Sequence, residues 1–262
     1  MEGSYFMNYA AGRIPFEFER EDLAKVVRET MERRDTNIVG GNISIKVKDE
    51  TGKPFYVMTP TMMSEAYLGH LSPEQILVIE PHTRKIISGV GKLTREINMH
   101  EAVYDVNPDI KCVFHSHADQ AMFWATTGLS MPNVTEATQK LKGIRTLEWH
   151  PMCTEELAQY VAGEITKLGD KALRNGFLLN SHGTLFTSGG ANMDPLTALH
   201  KSLADVDITE WNAKVAYRQT VLQQNGQLDG YYSEGVKIGT WQDVLDGKAL
   251  YNKKTLQAVN GD

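Results

Sequence analysis

Cysteine is scarce in this chain: two among 262 residues, Cys112 inside an apolar segment and Cys153 just after Pro151-Met152. That excludes a disulfide framework and a CxxC metal or redox pair, and it fits a reducing, cytoplasmic setting. No apolar run approaches the length that crosses a bilayer, so no membrane partner is expected. The first twenty residues lack the cationic start and apolar core of a secretion signal. Basic stripes are missing too. Lys and Arg total 27 against 33 Asp and Glu, a formal charge of −6 that argues against a nucleic-acid partner. Repeats and low-complexity linkers are also absent. What remains is an ordinary globular composition on a chain long enough to bury a large core.

Periodicity predicts a helix over 21–34, with Leu23, Val26, Val27 and Met31 on one face. Strands follow over 43–47 and 55–58, joined as a hairpin past Gly52-Lys53-Pro54, then over 76–80 and 85–88. A helix over 97–106 is stopped by Asn107-Pro108 before a strand over 110–114. Helices over 120–127, ended by Gly128, and 157–168, with Thr154 as N-cap, come next. Segments 177–180 and 183–187 read as a strand pair or one bent strand. Asp194-Pro195 then opens a long helix to about Arg218. The expected organisation is an N-terminal arm (1–20), one α/β domain (21–218) and a polar tail (219–262) with a short helical patch at 241–245. The tail would pack on the domain or on a neighbouring subunit.

His115 and His117 sit at the exit of the 110–114 strand, where residues i and i+2 project from one face. Alone, such a pair is also what a solvated strand end looks like. Two further features change its meaning. Glu96 lies upstream in Thr94-Arg95-Glu96, and His182 follows the apolar Phe177-Leu178-Leu179 run. Three imidazoles and one carboxylate, each near the end of an element, form a zinc-type donor set. Glu96 could instead form a surface ion pair with Arg95. Gly40-Gly41-Asn42 offers backbone N–H groups that can cradle an anion, and is equally the composition of a plain turn. His100, at i+4 from Glu96, orients the site, packs in the core or lies on the surface.

Taken in order, Gly40-Gly41-Asn42-Ile43-Ser44, Thr59-Pro60-Thr61, Thr94-Arg95-Glu96 with His100, His115-Ser116-His117 and Ser181-His182-Gly183 resemble the class II aldolase/adducin family over about residues 20–218. The resemblance implies an α/β/α sandwich with a mainly antiparallel central sheet, assembled as a homotetramer with interface active sites. It implies one divalent metal per chain, zinc first and Mn, Co or Mg next, on His115, His117 and His182. The activity it implies is carbon–carbon lysis, a ketose phosphate cleaved by retro-aldol reaction through a metal-stabilised enediolate. Glu96 would move the proton, which requires a raised pKa or a swing between metal and substrate. Gly41, Asn42, Thr61, Thr94 and Arg95 would bind a small anionic substrate.

Three departures from the family pattern stand out. Met62 follows Thr61 where sugar-phosphate aldolases typically carry glycine, and with Met63 it could narrow the pocket or line it with apolar surface. Arg95 stands where they carry serine. Glu136 falls near the place of their proton-donating tyrosine, and is alternatively a helix N-terminal carboxylate. A guanidinium pairs with phosphate or carboxylate alike, so a decarboxylase of 3-oxo acids or aromatic carboxylates is the alternative. A catalytically silent assembly module would be expected to lose metal histidines, and all three are present.

Overall fold

The computed structural model describes residues 14–141, 144–225, 230–233 and 236–240. In chain order the elements are α1 (Glu17–Arg33), β1 (Asn42–Lys48), β2 (Pro54–Met58), β3 (Leu77–Ile79), β4 (Ile86–Ser88), α2 (Ile97–Val106) and β5 (Ile110–Ser116). They continue with α3 (Asp119–Thr127), β6 (Arg145–Leu147), α4 (Glu155–Leu168), β7 (Arg174–Leu179), β8 (Gly183–Gly189), α5 (Pro195–Gln224), β9 (Gly230–Ser233) and β10 (Val236–Thr240). The first eight strands make one sheet, ordered β4-β3-β2-β1-β5-β8-β7-β6. Every pairing in it is antiparallel except β6 with β7.

Strand alternation splits the core into two layers. On β5, Cys112 and Phe114 point to one face and Val113 to the other; on β7, Leu178 opposes Phe177 and Leu179. The first face is covered by α1, α3 and α5 through Leu23, Val27, Trp124, Leu199 and Val206. The second is covered by α2 and α4 through Ile97, Val103, Leu157, Val161 and Ile165. Helices on both faces of a mainly antiparallel sheet make the α/β/α sandwich expected above.

Several boundaries differ from the periodicity reading. Helix α1 starts at Glu17, so the last turn assigned to the arm is helical. Glu17 and Glu19 complement the helix dipole there, and buried Arg20 ties the helix to the sheet edge, donating to the Pro73 carbonyl at 2.8 Å and to Ser88 Oγ at 2.9 Å. Charge made Arg20 look like surface. Helix α5 runs to Gln224, and Asp194 Oδ1 caps it by accepting from Leu196 and Thr197 N–H. Two features were missed: the three-residue β6, too short for a period, and the β9–β10 hairpin in the tail. The expected patch at 241–245 lies outside the described residues.

Candidate active site

The site gathers at one end of the central strands. His115 is the penultimate residue of β5 and faces the α2 side of the sheet, as Val113 does. His117 follows one residue past the strand. His182 sits in the tight β7–β8 turn, where Ser181 takes a left-handed φ of 57° and the His182 N–H closes on the Leu179 carbonyl at 3.0 Å. The donor atoms of the three rings lie within 4.8 Å of one another. Glu96, at the N-terminus of α2, meets two of them: Oε2 is 3.2 Å from His115 Nε2 and Oε1 is 3.1 Å from His182 Nε2.

Two glycines make the convergence sterically feasible. A Cβ on Gly40 would lie 1.9 Å from His117 Nδ1, and one on Gly183 would meet the Ser116 carbonyl at 2.5 Å and His117 Cδ2 at 2.8 Å. Both stand in motifs named from the sequence, but neither was assigned this part, because a glycine's role as space for a distant ring has no local signature.

The donor chemistry fits a divalent cation. His115 Nδ1 lies 2.7 Å from the Thr184 carbonyl, so that nitrogen carries the proton and Nε2 carries a lone pair. That lone pair faces the Glu96 carboxylate and, at 3.1 Å, His117 Nε2. Zn–N bonds of about 2.0–2.1 Å put tetrahedral donors roughly 3.3 Å apart, close to this spacing. Burial lowers the pKa of His115, and it lowers that of His117 to about 3 with help from the other two imidazoles, which favours the lone-pair form of these two rings. Buried His182 Nδ1 has no hydrogen-bond partner.

Of the two alternatives expected of Glu96, a raised pKa or a swing between metal and substrate, the first does not fit its surroundings. Burial pushes its pKa up, but His115, His182 and the hydrogen bond from Asn42 more than offset that and hold the carboxyl below its usual range. It is an ionised base at rest. It is also not the surface ion-pair partner of Arg95: Glu96 is buried while Arg95 is exposed.

Behind Glu96 runs a buried chain of hydrogen bonds. Asn42 Nδ2 donates to Glu96 Oε2 at 2.9 Å, and Asn42 Oδ1 lies 2.5 Å from His100 Nε2. His100 Nδ1 lies 2.7 Å from Ser44 Oγ, and the Tyr104 hydroxyl donates to the Ser44 carbonyl at 2.9 Å. One proton assignment satisfies all of these groups. His100 donates from Nε2 and accepts Ser44 O–H at Nδ1, which turns the Asn42 amide so that its N–H faces Glu96. Burial lowers the His100 pKa to about 3 and raises that of Tyr104 well above its ordinary value, so both are neutral. Of the readings of His100, burial rules out a surface position and the hydrogen bonds support orientation. Asn42, expected to hold substrate, has its amide engaged with Glu96 and His100.

The other expected substrate residues line two joined loops. The Thr61 N–H donates to the Lys92 carbonyl at 2.8 Å, linking the Thr61 turn to the Thr94-Arg95 loop. Thr94 is buried and accepts weakly from the Glu96 N–H at 3.4 Å. Arg95 makes no ion pair among the described residues. Gly41 holds φ 95° and has no room for a Cβ beside Thr36 Oγ1. Met62 takes φ 60°, a left-handed conformation easy for glycine and strained by about 1 kcal/mol for other residues. Met62 is exposed, while Met63 is buried beside Gly41. Glu136 is exposed on a different structure: its neighbours Thr135 and Thr138 bond to Asn212 of α5. Cys153, not singled out from the sequence, lies with Sγ 4.0 Å from Glu96 Oε1, so the loop before α4 borders the site.

The model of the class II aldolase and adducin N-terminal domain matches residues 21–201. The chain belongs to that family. Among its curated relatives, an L-fuculose phosphate aldolase of Methanococcus maripaludis is 28% identical over 163 residues, 62% of this chain and 80% of the relative. Another from Methanococcus vannielii is 32% identical over 143 residues, 54% of this chain and 73% of the relative. Among solved structures, L-fuculose-1-phosphate aldolase of Thermus thermophilus superposes with a TM-score of 0.61 at 21% identity, covering 79% of this chain and 97% of that one. YgbL of Escherichia coli, described as an aldolase, epimerase or decarboxylase, gives 0.60 at 20% identity over 79% and 90%. At these identities the superpositions carry the fold.

Proposed function

We propose that this protein is a divalent-metal-dependent carbon–carbon lyase that cleaves a ketose phosphate by retro-aldol reaction. The observation that carries the reading is the convergence of His115, His117 and His182, with the ionised Glu96 carboxylate against two of the rings. The names of the methanogen relatives supply the substrate class. The three histidines would hold the cation, zinc first and Mn, Co or Mg next. A bound divalent ion supplies electrophilic polarisation of the substrate carbonyl.

Glu96, ionised and so able to take a proton, accepts the hydroxyl proton whose removal starts carbon–carbon cleavage. Asn42, held by His100, steadies the carboxylate between turnovers. Gly41, Thr61, Thr94 and Arg95, with the remaining Asn42 N–H, take the anionic end of the substrate. Glu136, anchored to α5, fits better as a contribution to a neighbouring subunit's site in a homotetramer. Exposed Trp149, Met152 and Trp211 are the kind of apolar surface such an assembly would cover, and the tail beyond 219 would pack on the domain or a neighbour. A cytoplasmic setting suits the two free cysteines; among the described residues no helix is long and apolar enough to cross a membrane.

Decarboxylation on the same residues is the second reading, favoured by Arg95, an exposed cation without a carboxylate partner among the described residues, one residue from Glu96. The deciding experiment is a panel of ketose phosphates and 3-oxo acids with metal-free and metal-loaded protein. Metal-dependent release of a triose phosphate supports the aldolase. Release of CO2 alone moves the assignment to the decarboxylase. Failure to bind about one divalent ion per chain overturns both.

A further inference from the structure

At the far end of the same strands lies a cavity of about 680 Å³, within the range of small-molecule sites. It opens beside the start of β6: among the described residues β6 pairs with Phe177–Leu179, and the first half of β7 has no strand partner on that side. Arg174 and Asn175 begin β7 at this end, and His182 follows its other end, roughly 20 Å away at 3.3 Å per strand residue.

Of the charged residues that line the cavity, five are cationic and one, Asp170, is acidic. Lys140, Lys171 and Lys201 are not paired with a carboxylate among the described residues. Arg145 and Arg174 line it too, but Glu164 and Asp205 already neutralise them. The lining also has an apolar part, with Met131, Leu173 and Phe177. Asn175 in the same lining is only 7% exposed, and its buried Nδ2 finds no acceptor. A buried amide N–H left unbonded is costly, and a ligand oxygen would remove that cost. Three single-point ammonium donors and one amide donor suit an ion with several oxygens and more than one charge, and the apolar part of the lining suits a body attached to it.

We propose that this cavity is a second ligand site, separate from the histidine cluster, that binds a small molecule carrying a phosphate or polyphosphate on an apolar body. Calorimetric titration of the full chain with ADP and with inorganic pyrophosphate tests it. ADP should bind the wild type and His182→Ala with affinities within about twofold, and pyrophosphate should bind more weakly. The double charge reversal Lys171→Glu/Lys201→Glu, confined to exposed side chains, should weaken ADP at least tenfold. Asn175→Leu should weaken both probes, with circular dichroism confirming its fold. The proposal is overturned if neither probe binds the wild type at millimolar concentration. It is equally overturned if ADP binding survives the charge reversal but is lost in His182→Ala, or if pyrophosphate binds as tightly as ADP.

Discussion

The two ends of the central strands treat polar groups in opposite ways. At the histidine end, His115, Glu96, Asn42 and His100 are all buried and lock one another in place. At the far end the lysines of the cavity are exposed, and the buried Asn175 amide nitrogen is without a partner. A low-dielectric cluster with fixed partners is preorganised, so a single change there should have a large effect. An exposed set of charges is screened and mobile, so each contributes little until a ligand organises it.

The largest expected effects are therefore at the histidine end. His182→Ala should remove both bound metal and turnover while the circular dichroism spectrum is kept; full metal occupancy in that variant, measured by elemental analysis, would erase the contrast. Glu96→Gln should retain metal and substrate binding yet cut turnover by about 10² or more, as expected for loss of a general base. Near-normal turnover would reduce Glu96 to a structural partner of the two histidines.

Arg95 belongs to the exposed class although it neighbours Glu96, and that lowers its expected weight. A buried bidentate contact would be worth about 2–5 kcal/mol. An exposed one should be nearer 1–1.5 kcal/mol, so Arg95→Ala should raise KM about tenfold with a smaller change in kcat. Competition by inorganic phosphate in the wild type, lost in Arg95→Ala, would support a phosphate at this residue. Indifference to phosphate in both proteins would favour a carboxylate.

Away from turnover, the effects on stability are spread over the pH scale. His100 has its pKa depressed to about 3 in the fold, against about 6.5 unfolded. The unfolded chain binds the extra proton first, so stability present above pH 6.5 is lost as pH falls toward 3, at up to about 1.4 kcal/mol per unit. His100→Gln should flatten that limb of a denaturation series, and an unchanged slope would count against a neutral buried His100. Asp35 behaves oppositely. Burial and the neighbouring Asp207 and Glu210 raise its pKa to about 7, so stability present below pH 4 is lost as pH rises through 7. Asp35→Asn should stabilise the protein by up to about 4 kcal/mol above pH 7 and hardly at all near pH 4. A gain independent of pH would break this assignment.

Much of the architecture was legible in local pattern. Helix α2 was read at its observed bounds because Asn107-Pro108 stops it, and Thr154 caps α4 by accepting from the Leu157 N–H at 3.2 Å. The missed pieces had weak local signals. Strand β6 is three residues long and gains its stability from β7, while Arg20 is buried through acceptors more than fifty residues away. In the site, the residues that carry charge or ligand nitrogens were all nominated from the sequence. Among those that support them, Gly40, Ser44 and Gly183 were named only as parts of motifs, without their supporting roles, and Tyr104 and Thr184 were not named at all.

By itself the sequence determined the family, the sandwich with its mainly antiparallel sheet, and the candidate ligands, because alternation, capping and motif order are properties of neighbouring residues. Only the tertiary structure decided that Glu96 is held ionised rather than protonated, that Asn42 faces Glu96 and His100, and that Arg95 stays in solvent. Each of these depends on burial and on partners brought together from distant segments. A pKa and a hydrogen bond belong to an environment, and the environment exists only once the chain has folded.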